Sequence, residues 1–167
     1  LSSEPHRGGE FQYSQSILNA CAALPARDYR PVAVYINRHW RTYLEETAIP
    51  STFLPTGIWR LLARKRLSTL LPLPWWRRIS PSIYPPIRTM KKLDCRLWIF
   101  PAQDTWTYLC PFPALGTVYD LMHRYEPRFP EVSSWGIYHN REQHYQKLCG
   151  WAKGVLVDSD VGKRHLM

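Results

Sequence analysis

Pro113-Ala114-Leu115-Gly116-Thr117-Val118-Tyr119-Asp120 is an apolar run of strand length that ends abruptly in an acid. Interior strands of a parallel sheet are buried on both faces and read as continuous hydrophobic runs rather than alternating ones. Ligands of such sheets bind in the crevice beyond the carboxyl ends of the strands, which is where Asp120 is placed. The run gives way to Leu121-Met122-His123-Arg124-Tyr125-Glu126-Pro127-Arg128-Phe129-Pro130, a polar, proline-punctuated loop. His123 in that loop either supplies a polar contact to a ligand or is a loop histidine in water.

Working outward, Glu131 to Ala152 reads as one long helix. Trp135, Tyr138, Tyr145, Leu148, Cys149 and Ala152 hold one face, and Arg141, Glu142 and Lys147 face water. Gly154 to Asp158 is a further strand, followed by a helix that Ser159 or Asp160 caps. Upstream, Cys95 to Phe100 is a strand. At the amino end, Leu1 to Gly9 looks like the tail of a first strand running into a Gly8-Gly9 turn. Tyr13, Ile17, Ala20, Cys21 and Leu24 then recur at helical spacing until Pro25. Val32 to Ile36 is a β-branched strand, Arg41 to Ala48 a short helix and Ser51 to Leu54 a third short strand. Strand, turn, helix, strand is the βαβ unit, so 1–167 is expected to be one α/β domain. The expected architecture is a Rossmann-like parallel sheet with helices on both faces and its strand ends along one rim. Without Cβ atoms, Gly8 and Gly9 let backbone N–H groups at a helix start approach an anion. A plain tight turn explains them equally well. The chain opens on Leu1 rather than Met and stops inside a helix, so it reads as a piece of something longer.

With 8 Trp, 10 Tyr and 15 Pro among 167 residues, the chain is too aromatic for disorder and too proline-rich for a helical bundle. No apolar run approaches the ~20 residues of a membrane span, and no signal peptide is visible. The four cysteines lie far apart with no C-x-x-C pair, which argues for free thiols rather than a disulfide framework or zinc site. No metal and no cofactor are expected. The net charge of +9 is concentrated: from Thr47 to Leu93 there are nine basic residues and no acid, while 13 bases balance 13 acids elsewhere. Residues 58–92 therefore read as an insertion-like surface module. It holds Arg60, Arg64, Lys65 and Arg66 on a helix from Ile58 to Leu71, then Trp75, Trp76, Arg77 and Arg78, before a stretch broken by Pro81, Pro85 and Pro86. Leucine and tryptophan opposite arginine and lysine is the pattern of an interfacial helix at an anionic membrane. Phosphate-backbone binding to nucleic acid is the weaker alternative. The remaining one is a module whose apolar residues cover the sheet and whose charges are merely solvated.

Gly8-Gly9 followed by an aromatic residue and a helix resembles the N-terminal half of the retaining glycosyltransferases of family 4, which have the GT-B fold. So does a strand ending in Tyr119-Asp120 with Arg128-Phe129-Pro130 downstream. The fullest match runs through Arg141, Tyr145 and Ala152-Lys153-Gly154-Val155-Leu156-Val157-Asp158-Ser159-Asp160-Val161-Gly162-Lys163-Arg164. It covers about 110–166 and 8–24 and is thin over the basic middle. The resemblance implies the acceptor-side Rossmann-like domain of a sugar transferase, with a nucleotide sugar as donor substrate and a sugar or lipid-linked acceptor. It gives Gly8 and Gly9 to the donor phosphates, Asp120 and Tyr119 to the catalytic rim, and His123 to a polar substrate contact. The family often has His-Asp where this chain has Tyr119-Asp120; tyrosine donates one hydrogen bond but lacks histidine's proton chemistry near neutral pH. The family's nucleotide pocket, its cations for the departing diphosphate and its paired glutamates lie in a C-terminal domain. Without that domain the chain is expected to be inactive. A cytoplasmic location, peripheral at the inner face of a membrane, fits this reading. Two rivals are a basic Rossmann-like polyanion-binding module and a catalytically degenerate regulatory subunit.

Overall fold

Prolines bound the strands. Pro31 and Pro50 precede the first two, Pro101 ends the third and Pro113 precedes the fourth. Proline lacks the N–H a ladder needs, so it is confined to strand ends and edges. Its carbonyl still accepts: Pro50 O takes the Ala33 N–H at 2.9 Å and Pro113 O takes the Trp98 N–H at 2.9 Å.

The computed structural model describes residues 1–5, 8–57, 71–126 and 128–167, apart from the Trp135 side chain. The helix expected over 58–71, with Arg60, Arg64, Lys65 and Arg66, lies outside them but for its last residue. The chain divides into two compact units, Leu1–Asp94 and Cys95–Met167. The described strands are parallel, as expected, but form two small sheets rather than one continuous sheet.

In the first unit, α1 (Gly9–Ala22) leads to β1 (Ala33–Tyr35), α2 (Trp40–Glu45) and β2 (Ser51–Phe53). β1 and β2 pair in register Ala33↔Ser51. Leu1 runs along the other side of β1: its amino group donates to Val34 O, and Ile36 N donates back to Leu1 O at 3.1 Å. That is the bond pattern of a parallel pair, but it is confined to Leu1, and no strand forms among the described residues before α1. The core gathers Leu18, Ala33, Tyr35, Trp40, Leu44 and Ile49. Trp40 is fully buried, with Phe11 at 4.5 Å between ring centroids and its indole N–H donated to Ser3 O at 2.9 Å.

The unit continues with α3 (Leu73–Ile83) and α4 (Pro85–Lys92). Pro81, expected to break the chain, sits within the last turn of α3, where the Ser80 carbonyl is still taken by Tyr84 N at 2.8 Å. The break comes at Tyr84 (φ −111°, ψ 105°), because the residue before a proline avoids the α region. Pro85 then opens α4, where its missing N–H costs nothing. Trp76 is corrected from a surface residue to a core one: it is fully buried, 6.0 Å from the Tyr84 ring, whereas Trp75 is 60% exposed. Asp94 ends the unit with φ 49°, a left-handed position after the helix.

The second unit runs β3 (Trp98–Phe100), α5 (Trp106–Leu109), β4 (Ala114–Val118), α6 (Met122–Tyr125), α7 (Pro130–Ser133), α8 (Trp135–Trp151), β5 (Gly154–Val157) and α9 (Asp160–Leu166). Its sheet has the order β3-β4-β5, with Trp98↔Ala114 and Leu115↔Gly154 in register. β4 is thus the central strand, and Ala114, Gly116, Thr117 and Val118 are buried. Two expectations change. The loop after Asp120 contains α6, and the long helix is interrupted at Ser134 (φ −55°, ψ 143°). Ser159, rather than Asp160, caps α9 through Gly162 N at 3.1 Å.

Candidate functional site at the carboxyl end of the second sheet

Asp120 follows the central strand β4, and its Oδ1 accepts the Met122 N–H at 2.9 Å. An aspartate bonding its own backbone two residues on is a turn-former, and here it starts α6. Oδ1 also accepts from Arg141 Nη2 at 2.5 Å. Oδ2 accepts from none of the described residues, and the side chain is 38% exposed. The acid is therefore held in place by one oxygen and presents the other.

Arg141 comes from α8 and is three-quarters buried. A second of its bonds goes to Tyr145 Oη at 3.1 Å, which also accepts from Gln103 Nε2 at 3.1 Å. Burial pushes the Tyr145 phenol up, against the pull of Arg141. Gln103, Ile137, Asn140, Arg141, His144 and Tyr145 line a shallow open cleft of about 310 Å³. Burial also keeps His144 neutral, helped by Arg141 and Lys147.

Tyr119 donates its hydroxyl proton to Pro101 O at 2.6 Å, tying the end of β4 to the end of β3. His123 is not in water: it is 1% exposed, and its Nε2 lies 2.7 Å from Glu142 Oε1. Burial lowers its basicity more than the Glu142 bond raises it. Glu142 is held down to about 2, chiefly by the Arg124 guanidinium, with His123 also lowering it. Arg124 grips it through two nitrogens, Nη2 at 2.6 Å from Oε2. A carboxylate only accepts, so the neutral imidazole carries its proton on Nε2 and leaves Nδ1 as a buried acceptor.

The structure thus brings Asp120, Tyr119 and His123 into one neighbourhood, with His123 set beneath the surface. Arg141 and Glu142, read from sequence as water-facing, are the residues that organise it. Their signal was spacing: Tyr138, Arg141, Glu142, Tyr145 and Leu148 fall at i, i+3, i+4, i+7 and i+10, a single helix stripe. A charged pair interrupting the buried stripe of a helix marks groups that must find partners in the fold.

Gly8 and Gly9 lie in the first unit. Gly8 adopts φ 55° and ψ −115°, and its carbonyl accepts from Phe11 N and Gln12 N, both at 3.1 Å, to start α1. A Cβ on either glycine would meet nothing within 4 Å. Among the described residues, no cluster of three or more metal-ligating side chains forms, and no helix is long and apolar enough to cross a membrane. Compared with known proteins, the chain matches no family model, no curated protein and no solved structure.

Proposed function

We propose that this chain is the N-terminal, acceptor-side, Rossmann-like part of a retaining glycosyltransferase of GT-B architecture, using a nucleotide sugar as donor. One observation carries the proposal: a half-exposed carboxylate at the carboxyl end of a central parallel strand, fixed through Oδ1 by Arg141 and a backbone N–H, with Oδ2 open. Such an oxygen suits accepting a hydrogen bond from a sugar hydroxyl and holding it in one orientation, an interaction that strengthens where charge develops in the transition state. The neighbouring cleft supplies two amides, an aromatic face and an apolar wall, a mixture that suits polyhydroxylated ligands. Parallel strands that end in polar groups support the fold part of the proposal.

On this reading the nucleotide is held by a second domain, so the test uses the longest open reading frame containing these residues. Sugar-nucleotide consumption is measured with the parent and with Asp120→Asn, which keeps an oxygen for the Met122 N–H. The variant is expected to lose about ten- to hundredfold in turnover, the cost of one charged hydrogen bond. Equal rates in the two proteins sink the role of Asp120, and no consumption by either sinks the enzymatic reading. The second outcome would favour a regulatory subunit, for which the commitment of the Tyr119 proton to Pro101 O is the supporting observation.

A further inference from the structure

We infer that the outer faces of α3 and α4 form one continuous surface that docks on an anionic lipid bilayer. Trp75, Arg78 and Ser82 lie at i, i+3 and i+7 on α3, a single stripe, and all three are exposed. On α4, Arg88, Lys91 and Lys92 lie at i, i+3 and i+4 and are likewise exposed. Arg88 joins the two stripes, because its guanidinium reaches across the Tyr84 corner and donates to Ser82 O and, at 3.5 Å, to Pro81 O. The surface therefore runs unbroken from Trp75 to Lys92. Ile83, 49% exposed, lies beside it.

Charge complementarity selects the partner. No acid occurs between Thr47 and Leu93, and no carboxylate among the described residues pairs with Arg78, Lys91 or Lys92. The surface is thus cationic without internal neutralisation. Its apolar members decide between polyanions. An indole 60% exposed and a protruding isoleucine gain by entering the headgroup boundary of a membrane. A nucleic-acid backbone offers nothing to the isoleucine, and cations alone would serve it. Lysine and arginine stems can lie along the interface with their charges in the headgroups.

The full chain is mixed with phosphatidylcholine vesicles, with and without phosphatidylserine, and sedimented. It is expected to pellet with the anionic vesicles, to be released by salt, and to stay in solution with the neutral ones. Lys91→Gln together with Lys92→Gln should weaken binding about 25-fold, near fivefold for each cation. Trp75→Phe should remove a blue-shifted component of the fluorescence that appears only with anionic vesicles, and Trp75→Ala should weaken binding severalfold. Circular dichroism matching the parent checks that the variants are folded. Equal pelleting with both vesicle types, pelleting with neither, or undiminished binding by the double lysine variant overturns the proposal. So does salt-sensitive binding to arbitrary duplex DNA by a chain that ignores both vesicles.

Discussion

Gly8 and Gly9 look alike in the sequence and are opposites in the structure. Gly8 stands at φ 55°, ψ −115°, where a side chain is strained whatever the space around it. Gly8→Ala should therefore destabilise the first unit by about 1–3 kcal/mol. Gly9 is the first residue of α1 with ordinary backbone angles and open space where a Cβ would point. Gly9→Ala should leave stability unchanged or raise it by about 0.5–1 kcal/mol through lower chain entropy in the unfolded state. Urea midpoints of the two variants check both signs. The pair also separates two uses of the turn that the sequence leaves equal. If Gly9 is there to let an anion approach the N–H groups of α1, Gly9→Ala keeps the fold and weakens nucleotide-sugar binding in the longer protein. If the turn is only a turn, Gly9→Ala changes neither.

At the scale of elements, β4 is positioned by what it lacks. A Cβ at Gly116 would come within 2.6 Å of Thr107 Cγ2 on α5 and 3.1 Å of Leu148 on α8, so both helices rest where a side chain is missing. Gly116→Ala should push at least one helix away and cost about 1–3 kcal/mol by overpacking. Thermal unfolding measures the loss, and Thr107→Ser in the same chain, which removes the nearest methyl group, should recover part of it. This strand was legible because burial on both faces leaves a continuous apolar run. Helix α1 and strand β1 were legible too, from spacing at 13–24 and from β-branched residues at 32–36. The cap at Ser159 could be read from its side chain. The elements that escaped did so for physical causes. α5 and α6 are four residues each, too short for any period to show. The interruption at Ser134 sits inside a stretch whose composition favours helix on both sides. Pro81 removes the N–H that would bond the Arg77 carbonyl, yet the helix runs on to Ile83 and breaks only before Pro85, where Tyr84 leaves the α region. Arg141 and Glu142 were sent to water by their charge, although their spacing placed them with Tyr145 and Leu148. Asp120 was found because it ends a strand, while the partner that holds it could come only from the fold.

Across the whole molecule, charge is divided unevenly: fourteen bases and six acids in Leu1–Asp94, eight and seven in Cys95–Met167. The near-balanced second unit is also where pH should act on stability. His123 and His144 both have their basicity lowered in the fold, chiefly by burial, from an ordinary value of 6.5. The unfolded chain then binds more protons than the folded one just below 6.5. Their contribution is complete above that pH and is lost as the pH falls toward the folded values. Glu142 acts in the same direction lower down, its contribution complete above 4.5 and lost on the way to about 2. With its side chain 15% exposed and partly screened, that second loss amounts to about 1–2 kcal/mol. Acid should thus loosen this unit in two stages, histidines first. Urea titrations from about pH 7 to about pH 3, read by hydrogen exchange in peptides from β4 and α8, track both stages. Glu142→Gln should lower stability at neutral pH, because Arg124 loses its charged partner, and should flatten the lower stage while deepening the upper one, because the carboxylate that raises the basicity of His123 is gone. A stability that stays level between about pH 7 and about pH 5 would mean that His123 and His144 take up protons without leaving their buried places. The ionised Glu142 carboxylate is the group that would have to accommodate the His123 charge.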